Sequence, residues 1–231
     1  MICIPIVAGT HTGALRAVDR SAPAADVLEL RMDLILGGNL VELVNHARAC
    51  KQDIAILVTH RRRPEVDLSQ ERQRIAVLRD AVEMGADYVD VELETEGALR
   101  EKLLSAMQRL HHRTRLIVSH HDFNGTPAER SLRGLFHRCM NTGADMVKIV
   151  TWSRRPEDNL AVLKLIPYAH ARKMNITAFC MGPLGRISRV AAPLLGSCLD
   201  YVAFRKSAES ASGQLTVAEM RKIRRILGEK N

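Results

Sequence analysis

A single lysine interrupts an apolar run in "GADMVKIVTW", residues 143–152. Met146, Val147, Ile149 and Val150 suit a buried strand, and Lys148 lies among them. Lysine is almost never fully buried unless a partner holds it or the chemistry uses it. Nearby carboxylates stabilise the charged form of such a group, while apolar walls and neighbouring cations favour the free amine. A lysine in that setting is a candidate for Schiff-base formation with a carbonyl compound. The alternative is a structural lysine in an interior ion pair. Charges also recur on two other strand-like runs. In "LELRMD" Glu29, Arg31 and Asp33 alternate with Leu28, Leu30 and Met32; in "VDVELE" Asp90, Glu92 and Glu94 alternate with Val89, Val91 and Leu93. Side chains on a strand point alternately to opposite faces, so each run has one apolar and one charged face. Arg61 extends a third run, "ILVTH", at its C-terminal end. His120 and His121 are adjacent, so on a strand they face opposite ways. They cannot both serve one site, which argues against a two-histidine metal centre. His111 and His112 close a helical stretch and read as partners of its C-terminal dipole.

The elements that must position these residues repeat along the chain. Strand-like runs are expected at residues 2–7, 27–35, 53–60, 88–94, 115–123, 146–152, 175–182 and 198–204. Amphipathic stretches separate them. In residues 69–85, Ile75, Leu78, Ala81 and Val82 share one helical face. Pro167 is expected to interrupt a helix in "EDNLAVLKLIPYAHARK". About eight strand–helix units at a spacing of roughly 30 residues are the pattern of repeated βαβ crossovers. Eight units in 231 residues predict a (β/α)8 TIM barrel occupying residues 1–231 as one catalytic domain. A doubly wound open sheet is the alternative, but no strand–turn–helix carries a GxGxxG or GxxxxGK[ST] loop. In a barrel the apolar faces meet the helices. The charged faces then point inward, toward the C-terminal mouth where barrel enzymes keep their chemistry. Lys148 lies near that end of its strand.

Composition narrows the partners. The net charge is +8, which suits solvated helix faces or attraction of a small anion. Aromatics are 3% of the chain, too few for base-stacking platforms, so nucleic acid is not expected as a partner. No apolar run is long enough to span a membrane. The start, "MICIPIVAGT", is not expected to be a secretory signal, since it has no basic region. Five cysteines without a CxxC pair favour reduced thiols in a cytoplasmic protein over disulfides or a zinc site. The residues alone thus predict a barrel enzyme using a strand lysine, with a histidine base, on a small anionic carbonyl compound.

Six short motifs in order extend this reading. They are "ELRMD" (29–33), "THR" (59–61) followed by Glu65, "SHHDFNGTP" (119–127), "VKI" (147–149), "MGPLGRISR" (181–189) and "SASGQ" (210–214). Together they resemble the type I 3-dehydroquinate dehydratases, the Schiff-base-forming enzymes of the shikimate pathway and hence of aromatic amino-acid biosynthesis. The resemblance implies a hydro-lyase that needs no metal or other cofactor, works as a homodimer and takes 3-dehydroquinate as its small-molecule substrate. It implies that Lys148 forms the imine and that His121 is the general acid and base. Arg189 would hold the substrate carboxylate. Glu29, Arg31 and Arg61 would bind ring hydroxyls, and Ser210 and Gln214 would come from a closing lid. Glu65 and Asp90 would tune His121 from behind. The chain departs from the family pattern twice. Val66 and Asp67 follow Glu65 where two glycines are common, and Ser212 stands where the lid often has proline. Arg62 and Arg63 extend the third motif and read as solvated or substrate-steering charge. The nearest rival is another lysine-dependent barrel of the class I aldolase type, which would want a phosphate cradle near the last two strands, where Gly182 and Gly185 lie.

Overall fold

The computed structural model describes residues 1–62, 67–109 and 114–228. Eight parallel strands run in the order β7-β6-β5-β4-β3-β2-β1-β8. They are β1 (Ile2–Ile6), β2 (Val27–Arg31), β3 (Ala55–Thr59), β4 (Tyr88–Glu92), β5 (Arg115–Asp122), β6 (Met146–Trp152), β7 (Asn175–Met181) and β8 (Asp200–Tyr201). The two ends of the sheet approach each other. The Cys198 N–H donates to the Ile176 carbonyl at 2.9 Å and the Leu199 N–H to Thr177 Oγ1 at 3.1 Å, so the barrel is nearly closed. Around it pack α1 (His11–Ser21), α2 (Leu40–Cys50), α3 (Leu68–Glu83), α4 (Gly97–Arg109), α5 (Glu129–Met140), α6 (Glu157–Leu163), α7 (Leu165–His170), α8 (Arg186–Leu194) and α9 (Val217–Ile226).

The alternation read from the sequence separates two apolar layers. Leu28, Leu30, Val89, Val91, Val147 and Ile149 join the larger core between strands and helices. Cys3, Val27, Leu57, Ile117, Met146, Val150, Phe179 and Tyr201 fill the barrel's interior. Branched residues in a strand shielded on both faces are what a parallel sheet demands. Several helices begin on defined caps. Asp67 and Gln70 form a capping box at α3, and Thr216 and Glu219 form another at α9.

Three strands stop two or more residues before their expected C-terminal limits. β2 ends at Arg31 because the Met32 and Leu34 amides turn back onto Leu30 and Arg31. β4 ends at Glu92, so Glu94 leaves the inward face expected for it and pairs with His120. β8 keeps only Asp200 and Tyr201, because β1 is its one ladder partner. The break near Pro167 falls at Lys164, between α6 and α7. Pro167 is the third residue of α7, where a backbone N–H has no intrahelical acceptor and its loss costs little. His111 and His112 lie outside the described residues.

Candidate active site

Glu29, Asp90 and Lys148 sit within β2, β4 and β6, Arg31 and His121 lie at or near the C-terminal ends of β2 and β5, Arg61 follows β3, and Arg189 comes from α8. β5 and β6 lie side by side in register, Ser119 opposite Lys148 and His121 opposite Val150. Ser119, His121, Lys148 and Val150 therefore share the inner face. His120, one residue away, faces outward onto Glu94. The adjacent histidines diverge as the strand period requires, and only His121 reaches the interior.

A cavity of about 220 Å³ opens at this end of the barrel. It is lined by Glu29 and Arg31 from β2, Arg61 after β3, His121 from β5 and Lys148 from β6. Arg189 from α8, Ser210 and Gln214 complete its polar lining, with Tyr201 from β8. Phe123, Val150, Phe179 and Met181 supply apolar wall. Eight expected site residues thus converge on one space, and Asp90 lies directly beneath them. Glu65 lies outside the described residues.

Lys148 is 3% exposed and fully engaged. Nζ donates to Asp90 Oδ2 at 2.9 Å and to the Tyr201 hydroxyl at 3.0 Å, and it sits 4.1 Å from the Tyr201 ring centroid. Asp90 also accepts from Arg61 at 3.2 Å and from the Ser119 hydroxyl at 2.5 Å. Despite complete burial, the two cations hold its carboxyl well below the usual carboxylate range. Arg61 also donates to Glu92 at 2.7 Å, and Glu92 accepts from Arg74 of α3 at 2.8 Å. An unbroken chain of alternating charge runs from α3 to the lysine: Arg74, Glu92, Arg61, Asp90, Lys148. Burying any one of these ions alone would cost several kcal/mol; in sequence each neutralises the next. The hydrogen bonds of Asp90 go to Lys148, Arg61 and Ser119, and its charge acts on His121, opposing the fall in that ring's pKa.

His121 stacks near Phe123, with ring centroids 6.1 Å apart, and its Nδ1 is buried without a partner among the described residues. Burial, with Arg61 and Lys148 adding repulsion, pushes its pKa well below 6.5. The ring is therefore neutral at neutral pH and free to take a proton. Arg61 resists deprotonation more than an ordinary arginine, because Asp90 and Glu92 outweigh its burial.

Glu29 accepts from Thr59 at 2.7 Å, and Arg31 is held by a forked pair to Asp33 at 2.9 and 2.7 Å. Both keep polar atoms for a ligand. Arg62, read as solvated or substrate-steering charge, donates its backbone N–H to Glu92 at 3.0 Å, and its side chain, 30% exposed, lies 3.5 Å from Glu71. Arg63 is outside the described residues.

Arg189 enters from the first turn of α8. Its guanidinium lies 4.4 Å from the Phe179 ring centroid and makes one long bond, 3.3 Å, to the Ser212 carbonyl. Its Nε is buried without a partner among the described residues, and burial lowers its pKa to about 10. It stays charged at neutral pH, under-paired and facing the cavity, as an anion-binding group should be. The segment 210–214 closes over this space. Gln214 is buried and its Oε1 accepts from the Ser210 backbone at 2.8 Å and hydroxyl at 3.3 Å. Gly213 has φ +81° and rests on Gly182; a Cβ there would meet the Gly182 carbonyl oxygen at 2.3 Å. The Gly182 N–H donates to the Ser212 carbonyl at 3.2 Å. The turn in which an aldolase would seat a phosphate is thus taken up by the lid. The Ser212 contacts are all made by its carbonyl, so they do not depend on proline at this position.

Four residues of this machinery were not anticipated: Tyr201, Ser119, Thr59 and Phe179. Ser119 was within reach, since it precedes His121 by two residues and must share its face. Tyr201 and Phe179 carry no such signal, because aromatic residues in strands are ordinary core. Among the described residues, Asp19, His46 and Cys50 form the one group with metal-ligand spacing. It joins α1 to α2 through its own hydrogen bonds, and none of its members lines the cavity.

The chain is similar to known proteins of one family. The type I 3-dehydroquinase family model matches residues 2–231. A 3-dehydroquinate dehydratase of Syntrophobacter fumaroxidans is 42% identical over 159 residues, covering 68% of this chain and 65% of that one. One from Pyrococcus abyssi is 34% identical over 232 residues and covers 99% of both chains. The solved structure of 3-dehydroquinate dehydratase from Geobacillus kaustophilus superposes with a TM-score of 0.80 at 28% identity, over 98% of this chain and 90% of that one. The sequence match spans all the strands that carry the cavity's charges, and the chain belongs to the type I 3-dehydroquinase family.

Proposed function

We propose that this protein dehydrates 3-dehydroquinate to 3-dehydroshikimate through an imine on Lys148. The observation that carries the reading is the buried lysine with a neutral histidine on the neighbouring strand, both opening onto a cavity rimmed by arginines. Lys148, charged beside Asp90 in the resting site, first gives up a proton to solvent through the cavity, and the free amine attacks the substrate ketone. The carbinolamine takes up a proton and loses water to give an iminium, and the adjacent carbon becomes acidic because its electron pair can flow into that cation. His121 takes a proton from this carbon, leaving an enamine. The enamine pair then expels the neighbouring hydroxyl, which departs as water with the proton that His121 returns. Hydrolysis of the conjugated iminium frees the product and Lys148. The water consumed there replaces the one lost on imine formation, so the net change is one water released. The iminium supplies the electron sink, and the scheme needs no metal or other cofactor.

Arg189 binds the substrate carboxylate, for which its free Nε and single weak contact leave it available. Glu29, Arg31 and Arg61 hold ring hydroxyls and fix the reacting bonds in line with His121. Ser210 and Gln214 close over the ligand and exclude water. Glu65 assists His121. The enzyme works as a cytoplasmic homodimer; among the described residues no helix is long and apolar enough to cross a membrane.

Sodium borohydride added with 3-dehydroquinate or 3-dehydroshikimate tests the central step. The expected result is loss of activity and a covalent adduct on the Lys148 peptide by mass spectrometry. An adduct on another lysine, or none, overturns the imine assignment.

A further inference from the structure

We infer that the Tyr201 phenol is a catalytic proton shuttle for making and breaking the imine, acting between Lys148 Nζ and the oxygen of the substrate carbonyl. The inference rests on the imine reading above.

Tyr201 is 7% exposed at the cavity floor, delivered by the two-residue strand β8. Its hydroxyl accepts a hydrogen bond from Nζ at 3.0 Å. A phenol also has one hydrogen to donate, and this one meets no acceptor among the described residues. Tyr201 lines the cavity, so that hydrogen is free for a ligand. One oxygen thus touches the attacking nitrogen and has an unused donor beside the place where the electrophile must sit.

Imine formation needs such a group. Attack of the amine forms the C–N bond and moves the carbonyl π pair onto oxygen, giving a cationic nitrogen and an anionic oxygen two bonds apart. Before water can leave, one proton must pass from that nitrogen to that oxygen. The two atoms are too close and too bent for direct transfer with good hydrogen-bond geometry. Tyr201 can accept the N–H proton on its lone pair while donating its own O–H proton to the new oxygen. The phenol exchanges one proton for another and ends neutral. The pKa of Tyr201 agrees with this role: burial, with Cys3 and Glu29 adding to it, raises it well above 10. A group that resists becoming phenolate keeps its O–H available over the whole working range. Asp90 is ill suited to the task, because its depressed pKa makes it a poor carrier of a proton. The same exchange in reverse serves hydrolysis of the product iminium. Each oxygen donor lost in a general acid–base step lowers the rate by about 10²- to 10⁴-fold.

Tyr201→Phe removes only the oxygen and keeps a ring against Phe179, whose centroid is 6.0 Å away. The experiment is rapid-quench trapping with borohydride, read by intact mass, beside product absorbance with substrate carrying deuterium at the carbon that His121 deprotonates. In the wild type, imine should accumulate before product appears, with a normal deuterium effect on turnover. In Tyr201→Phe the imine should form about 10²-fold more slowly, and the deuterium effect should shrink toward one, because imine formation has become limiting. A residue that merely packs would not move the limiting step in this way. Imine formation at the wild-type rate in Tyr201→Phe, with an unchanged deuterium effect, overturns the inference and leaves the imine reading intact. Absence of any wild-type adduct on Lys148 overturns both. If the variant does not fold, the wild type still decides: a solvent deuterium effect on imine accumulation is expected, and its absence refutes the shuttle.

Discussion

Asp90 binds Lys148 at 2.9 Å while Arg61 holds the same carboxylate at 3.2 Å, so one buried anion serves two cations. Removing that anion leaves two buried positive charges facing each other. Asp90→Asn should lower stability by about 3–5 kcal/mol, as breaking a buried pair does, measured by urea unfolding at pH 7. The pH dependence follows from the sign of the shift. The folded pKa of Asp90 lies below its unfolded value of about 3.9. Its contribution is therefore full above that value and is lost as pH falls through the folded pKa. The gap between wild type and Asp90→Asn should stay constant from neutral pH to about pH 5 and narrow only in stronger acid. A gap that closes between pH 8 and 6 contradicts the arrangement.

Arg189 and Gln214 should fail in different ways. Arg189→Ala removes a charged partner for the substrate carboxylate, worth about 1.5–3 kcal/mol. Affinity for carboxylate-bearing ligands should fall about 10- to 150-fold, with a smaller loss for an analogue lacking the carboxylate. Gln214→Ala should be milder and appear mainly in KM, since the lid's backbone contacts through Ser212 and Gly213 remain. Titration calorimetry and steady-state kinetics on both variants check this. If Gln214→Ala were as damaging to kcat as Lys148→Ala, the separation of lid from chemistry would be wrong.

Activity should survive exhaustive chelation. In the proposed mechanism the electron sink is the iminium, so no Lewis acid is required. The Asp19, His46 and Cys50 cluster sits between α1 and α2, and loss of an ion there would not reach Lys148. Turnover after dialysis against EDTA should equal that before it. A loss restored by a divalent ion would count against the mechanism.

The legible part of this protein was its strands. Lys148 stood out because an ammonium in "MVKIV" has to be explained. Glu29, Arg31 and Asp90 followed from the two-residue period, which also divided Leu28 and Leu30 from the charged face. That period failed at Glu94, because alternation predicts a face only while the ladder lasts, and β4 ends at Glu92. At Asp90 the period gave the face, while its particular hydrogen-bond partners, Lys148, Arg61 and Ser119, carried no local signal. Which of several inward charges touch depends on barrel stagger, and stagger is set by all eight strands together. Tyr201 was invisible for the same reason. It meets Lys148 across 53 residues of sequence, and nothing local to either marks the other. The lid was legible only as a motif; its closure depends on two positive-φ glycines, Gly182 and Gly213, packing on each other.

The adjacent histidines give the sharpest test of the register. His121 faces the cavity and His120 faces Glu94 at the rim. His121→Ala should nearly abolish dehydration, by about 10²- to 10⁴-fold, since the base for the carbon proton is gone. It should still form the borohydride-trappable adduct on Lys148, because attack on the ketone does not use that base. His120→Ala loses one exposed pair, worth about 0–1 kcal/mol, and should turn over normally. The pH profile adds a second reading. His121 has its pKa pushed below 6.5 by burial and by Arg61 and Lys148. It remains an unprotonated base as pH falls past 6.5, so its acid limb in kcat/KM should lie below that value. Arg61→Gln removes one source of repulsion, so the His121 ring signals should titrate at higher pH in that variant, followed by NMR. If His120→Ala is the dead enzyme while His121→Ala works, β5 is out of register by one residue and the base assignment falls with it.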